Sequence, residues 1–185
     1  MRQLTPLLAF GATLVLLAVS SCGTSTERTS TTLQSPPYFS LADYFGKEAT
    51  RLQQQRPRIS KTVMKNDAEE QQHIYVADWN KEFALFIEAD INKPAWQNSY
   101  LVDSVGLSVT YTSVDSALRT AEILVERSET GAVTHIHVTS RVSNMLYQSN
   151  EQLDYYVDSL YRITKTQDVR FIGKSHYTVT GEWLQ

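Results

Sequence analysis

The chain has one cysteine, few glycines and prolines, and no strong excess of either charge among its 185 residues. A single cysteine excludes an internal disulfide framework, so an ordinary apolar core must stabilise the fold. The formal net charge of −3 argues against nucleic acid as a partner, because nucleic-acid-binding proteins usually present a basic surface. The seven glycines form no phosphate-binding loop of the G-x-x-x-x-G-K type, and we expect no cofactor.

Local motifs for covalent catalysis are also missing. The sequence has no Gly-x-Ser-x-Gly elbow and no Ser-x-x-Lys motif, so it predicts no catalytic residue. Acid–base catalysis would need carboxylates brought together by the fold. The acids available for it are Asp78, Glu82, Glu88, Asp90, Asp103, Asp154, Asp158 and Glu182. We expect Asp78 to cap a helix instead, and Glu88 and Glu182 to face solvent.

The first residues are arranged like an export signal. Arg2 gives a positive start, and the uncharged block Leu7–Val19 is shorter than the roughly 20 residues that a membrane-spanning helix needs. The tetrad Val19-Ser20-Ser21-Cys22 resembles the bacterial lipobox. This resemblance implies that residues 1–21 are a removable signal peptide. It also implies that Cys22 carries acyl chains such as palmitate. Through these chains the mature protein would be attached to its partner, the membrane.

Residues 22–37 are expected to be the lipid-bearing cysteine followed by a disordered tether. Serine and threonine dominate this stretch, which ends in two prolines and contains almost no apolar side chain. Gly23 follows the cysteine, at a position where aspartate would resemble the inner-membrane retention signal of some enteric bacteria. The resemblance therefore implies a location in the bacterial cell envelope and favours the outer membrane.

Residues 38–185 are predicted to form a single α+β domain, with two N-terminal amphipathic helices packed on a curved antiparallel β-meander of about six to eight strands. In the first helix, Ser40 is the expected cap and Phe39 with Tyr44 the expected hydrophobic staple. The second helix is expected to start after Asp78 and to end before Pro94, with its apolar residues on one side.

Alternating apolar and polar residues predict the strands. A hairpin is expected around Asn66 and Asp67, and a second hairpin turn at 128–132. Clear strand patterns lie at 106–114, 119–128, 133–142 and 176–183, with shorter β-like pieces at 144–149, 153–158 and 168–173. Because no crossover helix separates them, we predict an antiparallel meander. A cupped sheet that holds helices resembles cystatin-like, lipocalin-like and lipoprotein-carrier-like architectures, and no motif selects among them.

Two histidines are the weak candidates for metal binding. His135 and His137 alternate on a predicted strand, so their side chains should leave the same face about 7 Å apart. A transition metal needs a third ligand, for which His73 and His176 are the remaining histidines. Two ordinary surface histidines explain the same pattern, and we therefore assign no metal site.

Three tyrosines are the weak candidates for ligand binding. Tyr155, Tyr156 and Tyr161 form an aromatic cluster that would stack on a glycan, a peptide or a lipid. Packing against neighbouring strands is the competing explanation.

We expect a lipid-anchored, noncatalytic envelope protein that binds a protein, a glycan or an apolar ligand. The alternative is an exported, hydrolase-like enzyme whose active-site residues are scattered over the strands.

Overall fold

The computed structural model describes residues 37–184, and helix α1 (Leu41–Gln55) is the first regular element of this range. The Ser40 hydroxyl accepts a hydrogen bond from the Asp43 amide at 3.1 Å, which confirms the predicted cap. The rings of Phe39 and Tyr44 lie 5.6 Å apart, as the staple requires. The predicted signal peptide, Cys22 and the tether up to residue 36 lie outside the described residues.

Within residues 37–184, nine strands form one open antiparallel sheet in the order β2-β1-β9-β8-β7-β6-β5-β4-β3. The strands are β1 (Arg58–Lys65), β2 (Ala68–Tyr75), β3 (Tyr100–Val105), β4 (Ser108–Ser113), β5 (Thr120–Arg127), β6 (Val133–Ser143), β7 (Tyr147–Tyr156), β8 (Leu160–Val169) and β9 (Gly173–Trp183). Strands β3 to β9 form a meander, and β9 also pairs with β1. The predicted antiparallel sheet is confirmed, but the count of six to eight strands was too low.

The strands differ from the prediction in two places. Strand β3 (Tyr100–Val105) was not predicted, because all its residues after Tyr100 are exposed and no alternation marks them. The predicted pieces 144–149 and 153–158 belong largely to the single strand β7, while 168–173 covers the end of β8 and the turn after it. Asn150 and Gln152, which lie between the two predicted pieces, are outward-facing positions of a continuous strand.

The second predicted helix is divided in the structure. Asp78 does cap it, since its Oδ1 accepts hydrogen bonds from the amides of Asn80 and Lys81 at 3.0 and 3.2 Å. However, α2 (Trp79–Glu82) and α3 (Ala84–Glu88) are separated at Phe83, whose backbone lies at φ −92° and ψ 10°. A 3₁₀ helix, Pro94–Trp96, follows. Phe83, Phe86 and Ile91 are fully buried, so packing against the sheet decides the path of this segment more than helical periodicity does.

The helices cover part of one face of the sheet and form an aromatic core with it. The Phe45 ring lies 4.5 Å from Phe86 and 5.2 Å from Tyr155, and Trp79 stacks on Trp183 at 5.6 Å. Gly181 makes room for the Tyr161 ring, because a Cβ atom at that glycine would lie 2.1 Å from Tyr161 Cε1. No helix within residues 37–184 is both long enough and apolar enough to cross a membrane.

Two buried tyrosines of the sheet form hydrogen bonds with carboxylates of the helices on this face. The hydroxyl of Tyr155 donates to Glu48 of α1, and that of Tyr161 donates to Glu82 of α2. Arg51 neutralises Glu48, and Lys61 Nζ lies 2.6 Å from Glu82. Burial, together with the neighbouring carboxylates, raises the pKa of both tyrosines far above the ordinary value. Both phenols therefore stay protonated and act as hydrogen-bond donors.

Candidate functional site: a charged pocket on the sheet

A pocket of about 220 Å³ opens on the helix-bearing face of the sheet, where the strands extend beyond the aromatic core. Strands β6, β7 and β8 and the loop before β5 supply its lining. The lining residues are Arg119, Ser140, Arg141, Val142, Tyr147, Ser149, Glu151 and Lys165. The pocket is therefore polar and charged.

Strand alternation and register place these side chains together. On β7, Ser149 and Glu151 continue the row that begins with the core residues Tyr155 and Leu153. Glu151 lies opposite Ser140 of β6 and opposite Lys165 of β8. A carboxylate, a hydroxyl and an ammonium group from three neighbouring strands thus meet at one level of the sheet.

Glu151 has the most unusual environment in the pocket. Its side chain is only 5% exposed, and its Oε1 accepts a hydrogen bond from Arg119 Nη2 at 3.2 Å. Its Oε2 lies 3.8 Å from Lys165 Nζ and has no hydrogen-bond partner among residues 37–184. Buried carboxylate oxygens are normally hydrogen-bonded, because burial removes the water that would otherwise solvate them. Glu151 Oε2 is therefore a solvent-shielded acceptor, beneath the pocket lining, whose hydrogen-bonding capacity is unused within residues 37–184.

The groups around Glu151 supply further hydrogen-bond donors and acceptors. Arg119 is held between Glu151 and Glu88 of α3, with Nη1 3.6 Å from Glu88 Oε2. Ser140 and Ser149 are almost fully buried, and the Tyr147 hydroxyl accepts a hydrogen bond from Gln167. Cations, a carboxylate and hydroxyls therefore alternate over a short distance. This mixture suits a ligand whose groups both donate and accept hydrogen bonds, such as a sugar with its hydroxyls.

The two candidate histidines lie on the opposite face of the sheet. The rings of His135 and His137 are 6.4 Å apart, close to the predicted spacing. Both bind Asp154 Oδ1, at 3.1 and 2.8 Å, and His135 also bonds to Glu126 Oε2 at 3.0 Å. Across residues 37–184, no group of three or more histidine, cysteine or acidic side chains is arranged to hold a metal ion.

The three candidate tyrosines do not form one surface. Tyr155 and Tyr161 are completely buried beneath the helices, so neither offers a face to a ligand. Tyr156 points the other way, is 42% exposed and stacks on His135 with ring centres 4.0 Å apart. The expectation of a shared aromatic platform needs correction, because strand alternation sends Tyr155 and Tyr156 to opposite faces.

The acids considered from the sequence are dispersed over the described part of the chain, and none of them lines the pocket. Asp158 pairs with Arg51 at 2.6 Å, and Asp90 accepts hydrogen bonds from the Ser40 hydroxyl and the Ala42 amide. Glu88 is the acid that reaches the pocket, through Arg119. Glu151 was not identified in the sequence. The signal that would have found it is an acid in the inward-facing row of an amphipathic strand, two residues before Leu153.

Comparison with protein-family models, with curated proteins and with solved structures found no match to this chain. Neither the fold nor the pocket is therefore assigned by similarity. Function is therefore inferred from the geometry of the pocket.

Proposed function

We propose that this protein is a lipid-anchored, noncatalytic binding domain of the bacterial cell envelope, and that its pocket binds a glycan. The observation that supports a glycan is the charged lining of the pocket, in which the buried carboxylate of Glu151 lies beside Arg119 and Lys165 and keeps one oxygen without a hydrogen-bond partner among residues 37–184. The support for anchoring is the lipobox-like tetrad that ends at Cys22. Gly23 after it favours the outer membrane.

A glycan fits the pocket better than the other two ligand classes that the sequence left open. An apolar ligand would remove water from Arg119, Lys165 and Glu151 without replacing its hydrogen bonds, which is costly. A protein surface would need a broad contact, with about 800 Å² buried on each partner. A sugar hydroxyl donates to a carboxylate and accepts from a cation at once, and so satisfies both kinds of group in a space of about 220 Å³.

Binding to purified peptidoglycan sacculi tests the ligand class. The full-length protein should sediment with sacculi, and Glu151→Gln should lose most of this binding, because the amide has one acceptor oxygen and adds an NH₂ donor beside two cations. Glu182→Gln is the matched control, since Glu182 is exposed and lies outside the pocket. Equal sedimentation of the wild type and Glu151→Gln would contradict the proposed site. Release of soluble sugar fragments during the incubation would favour the enzyme alternative.

The anchor is tested separately. Cys22→Ala should abolish incorporation of radiolabelled palmitate, and the protein should no longer fractionate with the membrane as a lipoprotein. Several acyl chains on one residue give lasting attachment, since each buried methylene contributes about 0.8 kcal/mol. Unchanged acyl labelling of the Cys22→Ala protein would refute lipidation at this residue.

A further inference from the structure

Four large apolar side chains project from one end of the sheet. Met145 and Leu146 lie in the turn between β6 and β7, and Phe171 and Ile172 lie in the turn between β8 and β9. Met145, Phe171 and Ile172 are each 86% exposed, and Leu146 is 56% exposed. An exposed apolar cluster of this kind usually marks a surface that meets a membrane or another molecule.

The two turns form one continuous surface, which we name the hairpin tip (residues 145–146 and 171–172). The Arg170 amide donates a hydrogen bond to the Leu146 carbonyl at 3.0 Å, so the turns touch directly. Below them, Tyr147 of β7 pairs with Val169 of β8. The hairpin tip is therefore held by the sheet and presents its apolar side chains as a unit.

Basic residues lie close in sequence to the hairpin tip. Arg141 and Arg170 are exposed, and the Arg170 guanidinium lies 5.6 Å from the centre of the Phe171 ring. Lys174 is also exposed and has Asp168 4.0 Å away. Protruding apolar side chains with exposed cations next to them match the depth profile of an anionic bilayer, in which phosphates lie above the acyl chains.

We propose that the hairpin tip inserts into the surface of an anionic lipid bilayer. A bilayer fits this feature better than a protein partner does, because the apolar residues protrude from two turns, with exposed cations beside them, and do not form a broad flat face. Val142 and Tyr147 line the pocket and lie next to the tip in sequence. Insertion would therefore turn the pocket toward the membrane. This proposal goes beyond glycan binding and does not require acylation of Cys22.

Site-specific fluorescence in the full chain tests the insertion. Cys22→Ala removes the only native thiol, so Phe171→Cys or Met145→Cys can each be labelled with an environment-sensitive dye. Gln152→Cys is the matched control, because Gln152 is exposed and lies on the other face of the sheet. Each protein is reconstituted into vesicles of phosphatidylglycerol and phosphatidylethanolamine, with or without nitroxide groups on the acyl chains.

We expect dyes at residues 145 and 171 to show blue-shifted emission and to be quenched by the nitroxide lipids. The dye at residue 152 should show neither effect. In the Met145→Cys protein, replacing Phe171 and Ile172 by serine should abolish the shift, and these exposed changes leave the core intact. If dyes at 145 and 171 are as accessible to aqueous iodide as the dye at 152, the proposal is overturned and a protein partner becomes the better explanation. Equal quenching at all three sites also overturns it, since it indicates nonspecific contact.

Discussion

Replacing Gly181 by alanine should strongly destabilise the fold, because the new methyl group would overlap the Tyr161 ring. The added Cβ would lie 2.1 Å from Tyr161 Cε1 and 2.6 Å from its hydroxyl oxygen. The ring is fully buried and has Phe83 and Trp183 about 6 Å away, at 6.0 and 6.1 Å between ring centres. It therefore has little freedom to move aside.

The expected cost combines two effects. Overpacking of a buried site costs about 1–3 kcal/mol. A displaced Tyr161 would also lose its hydrogen bond to the Glu82 carboxylate, and a bond to a charged group is worth about 1.5–3 kcal/mol. We therefore expect Gly181→Ala to lower the free energy of unfolding by about 2.5–6 kcal/mol. That is a large share of the roughly 5–15 kcal/mol that stabilises a typical domain.

Urea unfolding followed by tryptophan fluorescence measures this cost, since Trp79 and Trp183 lie in the same cluster. Gly46→Ala is the matched control: nothing lies within 4 Å of a Cβ at this position inside α1, so alanine should add roughly 0.5–1 kcal/mol of stability. The two substitutions should thus have opposite signs. A Gly181→Ala protein as stable as the wild type would refute the close packing of Tyr161 against this glycine.

Two further predictions concern the tyrosines. Tyr155→Phe removes the hydroxyl that donates to Glu48, and it should lower the free energy of unfolding in urea by about 1.5–3 kcal/mol. Tyr156→Phe, on the opposite face, should change this free energy by less than about 0.5 kcal/mol. Equal effects of the two substitutions would contradict the assigned roles. Burial raises the pKa of Tyr100 to about 12, so its protonated form contributes stability that is complete below the unfolded value near 10 and is lost as pH rises from about 10 to 12. Phenolate absorbance and unfolding should be followed together, and titration of all ten tyrosines near pH 10 in a folded protein would disprove this protection.

Features encoded in short stretches of sequence were predicted well. The Ser40 cap, the Phe39–Tyr44 contact and the antiparallel hairpins depend on neighbouring residues, and the structure confirms them. The break at Phe83 depends on contacts with distant strands, so local periodicity indicated one helix where two occur. Strand β3 lies at the edge of the sheet, where exposure removes the alternation that identifies a strand.

The candidate site was less predictable than the fold, for a related reason. The pocket depends on the register that sets Glu151 against Ser140 and Lys165, and no local motif encodes a register across three strands. The sequence pattern does not predict the hairpin tip, because the β-like piece at 168–173 includes Phe171 and Ile172. In the structure they occupy a turn, where an apolar pair is exposed rather than buried.

The pairing of β1 with β9 has a consequence for the order of folding. Ile59 and Trp183 are partners across these strands, although they come from opposite ends of the described chain. The early hairpin β1–β2 therefore lacks its inner neighbour until the last strand has been synthesised, and β8 is left with an open edge for the same time. Long-range pairing of this kind slows folding, because the chain must close a large loop first. A nascent chain would thus keep two unpaired strand edges until β9 has been synthesised.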